Sequence, residues 1–581
     1  MKFFEKGVDM FRDQKYEKKI KICEKILLIL IALLTIYRVL INFKIIYSLN
    51  PAYVEDDGLL YIFADRLKEY KYLGDYNSRT LVKGISYSIM LAFNSITGLS
   101  YPMVLSILDV LSAFAMVKAL KVKISNRFVL AIMYILILFN PVNLDNSIRQ
   151  RMYRNTLIPD MVILTFALLI GLFFRRSDRL KTQLKWAICA GISLAFFYHL
   201  REDSVWIMPF VIVVMLLEIL NLFFFNNEKN KVNDSIKVCC KRIMVYVLPL
   251  CILTGYTLLI MTLNKKYYGV FMVNDRSQSY FADAMQDIYK IDAKNENDFI
   301  WVSKDAINIA LKNSKTLRKI EAPMEKIYKR WGKGSDIAGD LFSWIFRSAA
   351  EEKNFYKDAS TANEFWFNVH KELKQAEDSG KIKTKSGIYF TKQARCLETS
   401  QLPRFLKLTV KNLIKSGEYR YCHMDQGIAS DGRQVDIRRY EVEYGVYANL
   451  SLNEGDPKVS YAENITGVLN NYIEKYQKYS KYISILSAFC YVILTIITLY
   501  QLFRKKYCNL DAWLMITGVI LSAFVLMFGV TFFSIWLVES AIVFYGAGAY
   551  SLIQVAKYMS IIFTVYALIN LKRTQKSNTK E

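Results

Sequence analysis

The stretch Ile26-Leu-Leu-Ile-Leu-Ile-Ala-Leu-Leu-Thr-Ile-Tyr-Arg-Val-Leu-Ile-Asn-Phe-Lys-Ile-Ile46 carries only two charges, Arg38 and Lys44. As a helix it rises about 30 Å, the thickness of a bilayer's hydrocarbon. Working outward, blocks of the same kind fall near 101–120, 128–142, 157–174, 186–200, 205–225, 243–263, 482–503, 512–533 and 551–571. The spacing predicts an α-helical polytopic membrane protein with about ten transmembrane helices. Bulk composition agrees, with 53% hydrophobic residues among 581 and a mean hydropathy of +0.17. A soluble chain distributes its apolar residues periodically, not in nearly charge-free blocks. About 25 mostly polar residues precede the first block and no small-residue cleavage site follows Leu49, so that span reads as a permanent anchor.

The formal net charge is +25. Its basic residues cluster at the ends of apolar blocks, where membrane topology and anionic lipid account for them and nucleic acid is not implied. No zinc spacing, aromatic RNA-binding signature or phosphate-binding Walker loop is present. Alternate connections are basic: 121–127, 175–181, 231–242, 504–506 and the tail from Lys572. All fall on the side of the Lys-rich N-terminus. The positive-inside rule then predicts a multi-pass protein of the cell membrane, with both termini cytoplasmic and the large connection outside. This alternation requires that 84–98 (GISYSIMLAFNSITG) not cross, but lie in or dip into the outer face.

Three regions follow: a transmembrane module over 1–263, an extracytoplasmic soluble domain over 264–480 and a second transmembrane module over 481–581. The middle region is long enough for its own core. Its first part reads as helical, at 305–312 and 364–374. Gly387–Phe390 and Val442–Tyr447 read as strands, so a mixed α/β domain is expected. Cys396 and Cys422 within it can pair or remain free thiols.

Polar groups at the outer ends of the spans are the candidates for chemistry. Glu55-Asp56-Asp57-Gly58 puts adjacent carboxylates at the membrane surface, ahead of an amphipathic stretch that suits an interfacial helix. A solvated cap at a helix start is the plainer reading. Arg149, Arg151 and Arg154 run against the positive-inside tendency. Each guanidinium is a planar fork suited to phosphate oxygens, unless it pairs with external acids or lipid headgroups. His199-Leu-Arg201-Glu202-Asp203 lies between two apolar blocks almost without spacer. Arg201 is there either a phosphate ligand oriented by Asp203 or half of a structural pair with Glu202 or Asp203. Asp109 sits mid-span and is expected to face the bundle interior, with Arg38 as a structural partner. Glu218 suggests packing or gating. Tyr421-Cys-His-Met-Asp425 has metal-binding residue types but no second cluster to complete a site.

The acidic pair is followed by Lys83-Gly84, then Ser86-Tyr87 and Gly98-Leu-Ser-Tyr-Pro102, then a full span. This order resembles the GT-C superfamily of membrane glycosyltransferases, especially its protein-mannosyltransferase-like and aminoarabinose-transferase-like branch. The resemblance covers 26 to about 225. Ile85 stands where the family often has Pro. It implies a GT-C-like helical fold and an inverting transferase that uses a polyprenyl-phosphate sugar donor. It also implies a cell-envelope glycan, lipid or protein acceptor, with an outer-loop Asp as base. Asp56 or Asp57 fits that role, Asp57 being favoured because Gly58 and Leu59 hold it nearer the membrane. Lys83, Arg149, Arg151, Arg154, Arg201 and Asp203 are the expected substrate-binding residues. The pattern demands no cofactor, although paired acids can hold a divalent metal. A flippase for a lipid-linked precursor and a non-enzymatic envelope sensor or assembly scaffold are the other readings, the first weakened by the lack of a two-half repeat.

Overall fold

The computed structural model describes residues 14–224, 232–332, 335–449 and 457–578. Among these residues nine helices are long and apolar enough to cross a membrane: Ile22–Lys44, Tyr101–Leu120, Arg127–Leu144, Arg154–Phe174, Ser204–Leu222, Val238–Tyr268, Ile465–Phe503, Leu510–Phe533 and Ala541–Lys572. That is the make-up of a multi-pass membrane protein. The block 186–200 also forms a helix, Leu180–Tyr198, but Lys181, Gln183 and Lys185 occupy its first turns and dilute its apolar length. By length and composition nine of the ten expected spans qualify, and Leu180–Tyr198 joins the same two ends of the bundle as they do. Ser86–Thr97 is a 12-residue helix that stops at Gly98 (φ +69°), about 18 Å long and too short to cross.

Burial separates the centre of the bundle from its rim. In Arg154–Phe174 the apolar window is 94% buried within the protein, against 17% in Ile22–Lys44, whose leucines face outward. The central helix is closely approached by its neighbours. A Cβ on Gly171 would come within 2.0 Å of the Trp186 ring, and one on Gly548 would meet Val162 and Leu526 at 3.1 Å. Small residues replace a hydrophobic driving force in this setting, because they let helix backbones approach each other.

The connections sort to two ends. At one end Lys123 and Arg176 both pair with Asp511 at 2.8 Å, and Arg127 pairs with Glu24 at 2.6 Å. This is the basic end. The Lys-rich N-terminus before residue 14, Lys231 and residues 579–581 lie outside the described residues. The opposite end gathers the loops near 45–85, 140–157 and 199–207 beneath the long insertion.

Among the described residues the insertion is helical and contains no strand, only isolated bridges such as Ile388↔Leu397. The expected mixed α/β domain is therefore corrected. Val442–Tyr447 alternates apolar and polar only because it straddles the end of the helix Gln434–Tyr444, which Gly445 (φ +59°) terminates. Tyr440 and Tyr444, one turn apart, stack at 5.9 Å. Gly387–Phe390 is a loop. Cys396 and Cys422 are both buried free thiols.

The insertion has two parts. Its helices between Tyr280 and Gly417 enclose a core that includes Phe281, Trp301, Phe346 and Trp366. Its last stretch, including Tyr419, Met424, Tyr440 and Tyr444, packs into the core of the bundle instead. There the backbone lies over the loops below: Tyr47 N donates to Tyr447 O at 2.9 Å, and Asp431 N to Leu49 O at 3.0 Å. The helices Val232–Tyr268 and Pro457–Phe503 run through positions 263 and 480 without a break.

Candidate functional site

The loop after the first span enters the helix Asp57–Lys68 with Asp56 as its N-cap residue. Gly58 is required here: a Cβ would lie 2.4 Å from the Pro51 carbonyl oxygen. This tight turn sends the two adjacent carboxylates to different partners. Asp57 has a fully buried side chain and takes the Arg151 guanidinium bidentately, with Nε at 2.9 Å from Oδ1 and Nη2 on Oδ2. Asp56 is 48% exposed and accepts from Lys83 Nζ at 2.6 Å and from the Tyr153 hydroxyl at 3.3 Å, both on Oδ1. Its Oδ2 makes no bond among the described residues.

Their protonation differs accordingly. For Asp57, burial pushes the carboxyl up more than Arg151 pulls it down. For Asp56, burial acts the same way, but Lys83, with Arg151 and Arg154 behind it, holds the group well below the usual carboxylate range. Asp56 is thus the charged, reachable member of the pair.

The cations come from a second loop. Asp145 caps a short turn, Asn146–Gln150, by accepting from Ser147 N at 2.9 Å. The turn sends Arg149 and Arg151 in opposite directions. Arg149 enters the bundle, fully buried, and contacts Asp109 at 2.7 Å and Asp160 at 3.5 Å. Arg38 completes that group at 3.0 Å from Asp109. Arg151 instead turns toward Asp57, its guanidinium 4.7 Å from the Tyr153 ring centre and 5.2 Å from that of Phe544.

Arg154 donates Nη1 to Glu202 Oε1 at 2.6 Å and Nε to the Tyr153 hydroxyl at 3.1 Å. Glu202 also accepts from Gly84 N at 2.6 Å. A Cβ at Gly84 would lie 2.3 Å from the His199 carbonyl oxygen, so glycine lets the Lys83 segment press against the third loop. Burial pushes the Glu202 carboxyl up, but Arg154 brings it down to about 2. Beside this group Arg201 and Asp203 form a bidentate pair (2.9 and 2.6 Å), and the Arg201 guanidinium lies 5.7 Å from the Tyr545 ring centre. Arg201, Asp203, Trp206 and Tyr545 line a cleft of about 10 Å³, room for one water.

The structure therefore gathers Asp56, Asp57, Lys83, Arg151 and Arg154, with Arg201 and Asp203 adjoining. It removes Arg149, which solvent does not reach. Glu202, named in the sequence only as a partner for Arg201, belongs to Arg154. Tyr153, Phe544 and Tyr545 carried no separate signal; the last two arrive from the final span, nearly 400 residues away in sequence. Asp56 and Asp57 aim at different cations rather than at one point. Among the described residues no group of three or more His, Cys, Asp or Glu is placed to hold a metal ion. No protein-family model, curated protein or solved structure matches this chain.

Proposed function

We propose that this protein is a membrane glycosyltransferase moving a sugar from a polyprenyl-phosphate donor to a cell-envelope acceptor, at the insertion end and with that end extracytoplasmic. The supporting observation is the half-exposed Asp56 carboxylate, with one oxygen free, set among Lys83, Arg151 and Arg154. An acceptor hydroxyl attacking an anomeric carbon needs a base, and Asp56 can take its proton. The leaving lipid phosphate develops charge that fixed cations stabilise. Arg154 and Arg201 now hold Glu202 and Asp203, which are 23% and 48% exposed. A phosphate binds by exchanging with these rim acids, and the narrow cleft beside Arg201 opens as it does so. Direct displacement of the lipid phosphate by the acceptor hydroxyl, with Asp56 taking its proton, inverts the sugar carbon.

Purified protein given a synthetic polyprenyl-phosphate sugar and an envelope-glycan acceptor is expected to release polyprenyl phosphate. Asp56→Asn is expected to lower that release by about 10²–10⁴-fold. Full turnover in Asp56→Asn sinks the catalytic assignment. Absence of release with every donor tried, together with translocation of the same lipid across a vesicle bilayer, favours a flippase. Orientation has its own test: exposed Cys508 at the basic end is expected to react with an impermeant maleimide only after intact cells are opened.

A further inference from the structure

Away from the acidic pair, a groove of about 420 Å³ lies where Val232–Tyr268 enters the insertion. That is within the usual range of ligand sites. One wall is a single stripe of the helix Ala359–Asp378: Ser360, Asn363, Glu364 and Phe367. Their spacing of i, i+3, i+4 and i+7 puts all four on one face. The other wall is Tyr268 and Tyr280. Tyr280 meets Phe367 edge-on, with ring centres 4.9 Å apart, and both rings are 39% exposed. Tyr268 is held in place by its hydroxyl on Gly74 O at 2.9 Å.

Among the described residues nothing uses the polar half of this stripe. The side chains of Ser360, Asn363 and Glu364 make no hydrogen bond or ion pair among the described residues. A hydroxyl, an amide and a carboxylate side by side offer donors and acceptors to a ligand rich in hydroxyls. Aromatic faces suit the C–H face of a sugar ring, which is apolar and slightly positive. The lining carries one formal charge, the Glu364 carboxylate, which repels phosphate headgroups and nucleic-acid backbones.

The geometry points to a carbohydrate-binding subsite in this groove, taking a neutral glycan segment. On the transferase reading above, on which this last step rests, it holds the acceptor, and the acceptor is a glycan. The groove also connects physically to the acidic pair. Tyr268 contacts the loop through Gly74, the same loop carries Arg79, and Arg79 pairs with Glu55 at 3.3 Å, next to Asp56.

Saturation-transfer NMR on the full-length protein in detergent tests this, with mannotriose and triacetylchitotriose as probes. Transfer to the ring C–H protons of at least one trisaccharide is expected. Phe367→Ala is expected to weaken its binding about tenfold, Glu364→Gln to weaken it less, and Phe367→Trp to retain it. Phe367 is a surface side chain, and unchanged thermal melting verifies that each variant is folded. No transfer from either probe overturns the proposal. So does transfer that Phe367→Ala and Glu364→Gln both leave intact, or a groove whose variants alter binding only to phosphatidylglycerol vesicles. Asp56→Asn protein is expected to bind the glycan normally, so a failure of the chemistry and a failure of this subsite are read separately.

Discussion

Arg149 and Arg151 stand two residues apart on one short turn and end in opposite surroundings. Arg149 joins Arg38, Asp109 and Asp160, where the paired side chains are at most 2% exposed. Arg151 joins Asp57 at the edge of a group whose outer acid, Asp56, is 48% exposed. Both groups are built from guanidinium and carboxylate. What differs is access, and access decides the use. Ions sealed on all sides tie helices together, because removing one leaves its partner uncompensated in low dielectric. Ions with one open side can exchange partners with a ligand.

The largest effect that can break this contrast lies in the sealed group. Asp109→Ala strands the buried Arg38 guanidinium and leaves Arg149 a single carboxylate, Asp160 at 3.5 Å; it is expected to cost about 3–5 kcal/mol, seen as lost yield and a lower melting temperature in detergent. If Asp109→Ala melts like the parent, the sealed group has no structural role. Asp56→Asn is the counterpart. It is expected to lose release of polyprenyl phosphate as given above while its melting temperature stays within about 2 °C of the parent, because Asp56 is half-exposed and Asn keeps an oxygen for the more buried Lys83.

The turn that divides the two arginines gives a smaller, pH-dependent effect. Burial raises the Asp145 carboxyl to about 6, against an ordinary value near ~3.9 in the unfolded chain. The folded protein therefore binds this proton more tightly. Its contribution is full below about pH 4 and lost as pH rises through about 6. A fall of about 3 kcal/mol across that window is expected in chemical denaturation, and Asp145→Asn should flatten it. A profile unchanged by Asp145→Asn would show that the group titrates normally. The smallest effect belongs to the basic end: Asp511→Asn releases Lys123 and Arg176 and is expected to cost about 1 kcal/mol or less.

The spans were legible because crossing hydrocarbon demands long apolar runs, a requirement that leaves its mark on composition alone. Leu180–Tyr198 shows where that stops. It is helical, but Lys181 and Lys185 stay exposed and Gln183 bonds back to Arg176 O and Asp178 O, so its first turns are not part of an apolar run. The strand-like reading of Val442–Tyr447 failed because six residues of alternation cannot be told from a helix end. The helical spacing of Ile437, Tyr440 and Tyr444, all buried, held the better clue. At the candidate site the charged residues of the first three loops could be chosen from their position at span ends. Whether each faced in or out could not, since that depends on which way the turn after Asp145 throws its side chains. Phe544 and Tyr545 look like ordinary span residues until the last helix is placed beside Tyr153.

The helix Pro457–Phe503 has 47 residues and so measures about 70 Å, more than twice the hydrocarbon thickness. A hydrocarbon layer covers less than half of that length, and the remainder continues as the same rod, with Leu469 and Ile473 packed into the core. Because no break separates the two halves, a tilt of a few degrees at the membrane becomes a sideways displacement of several ångströms at the far tip.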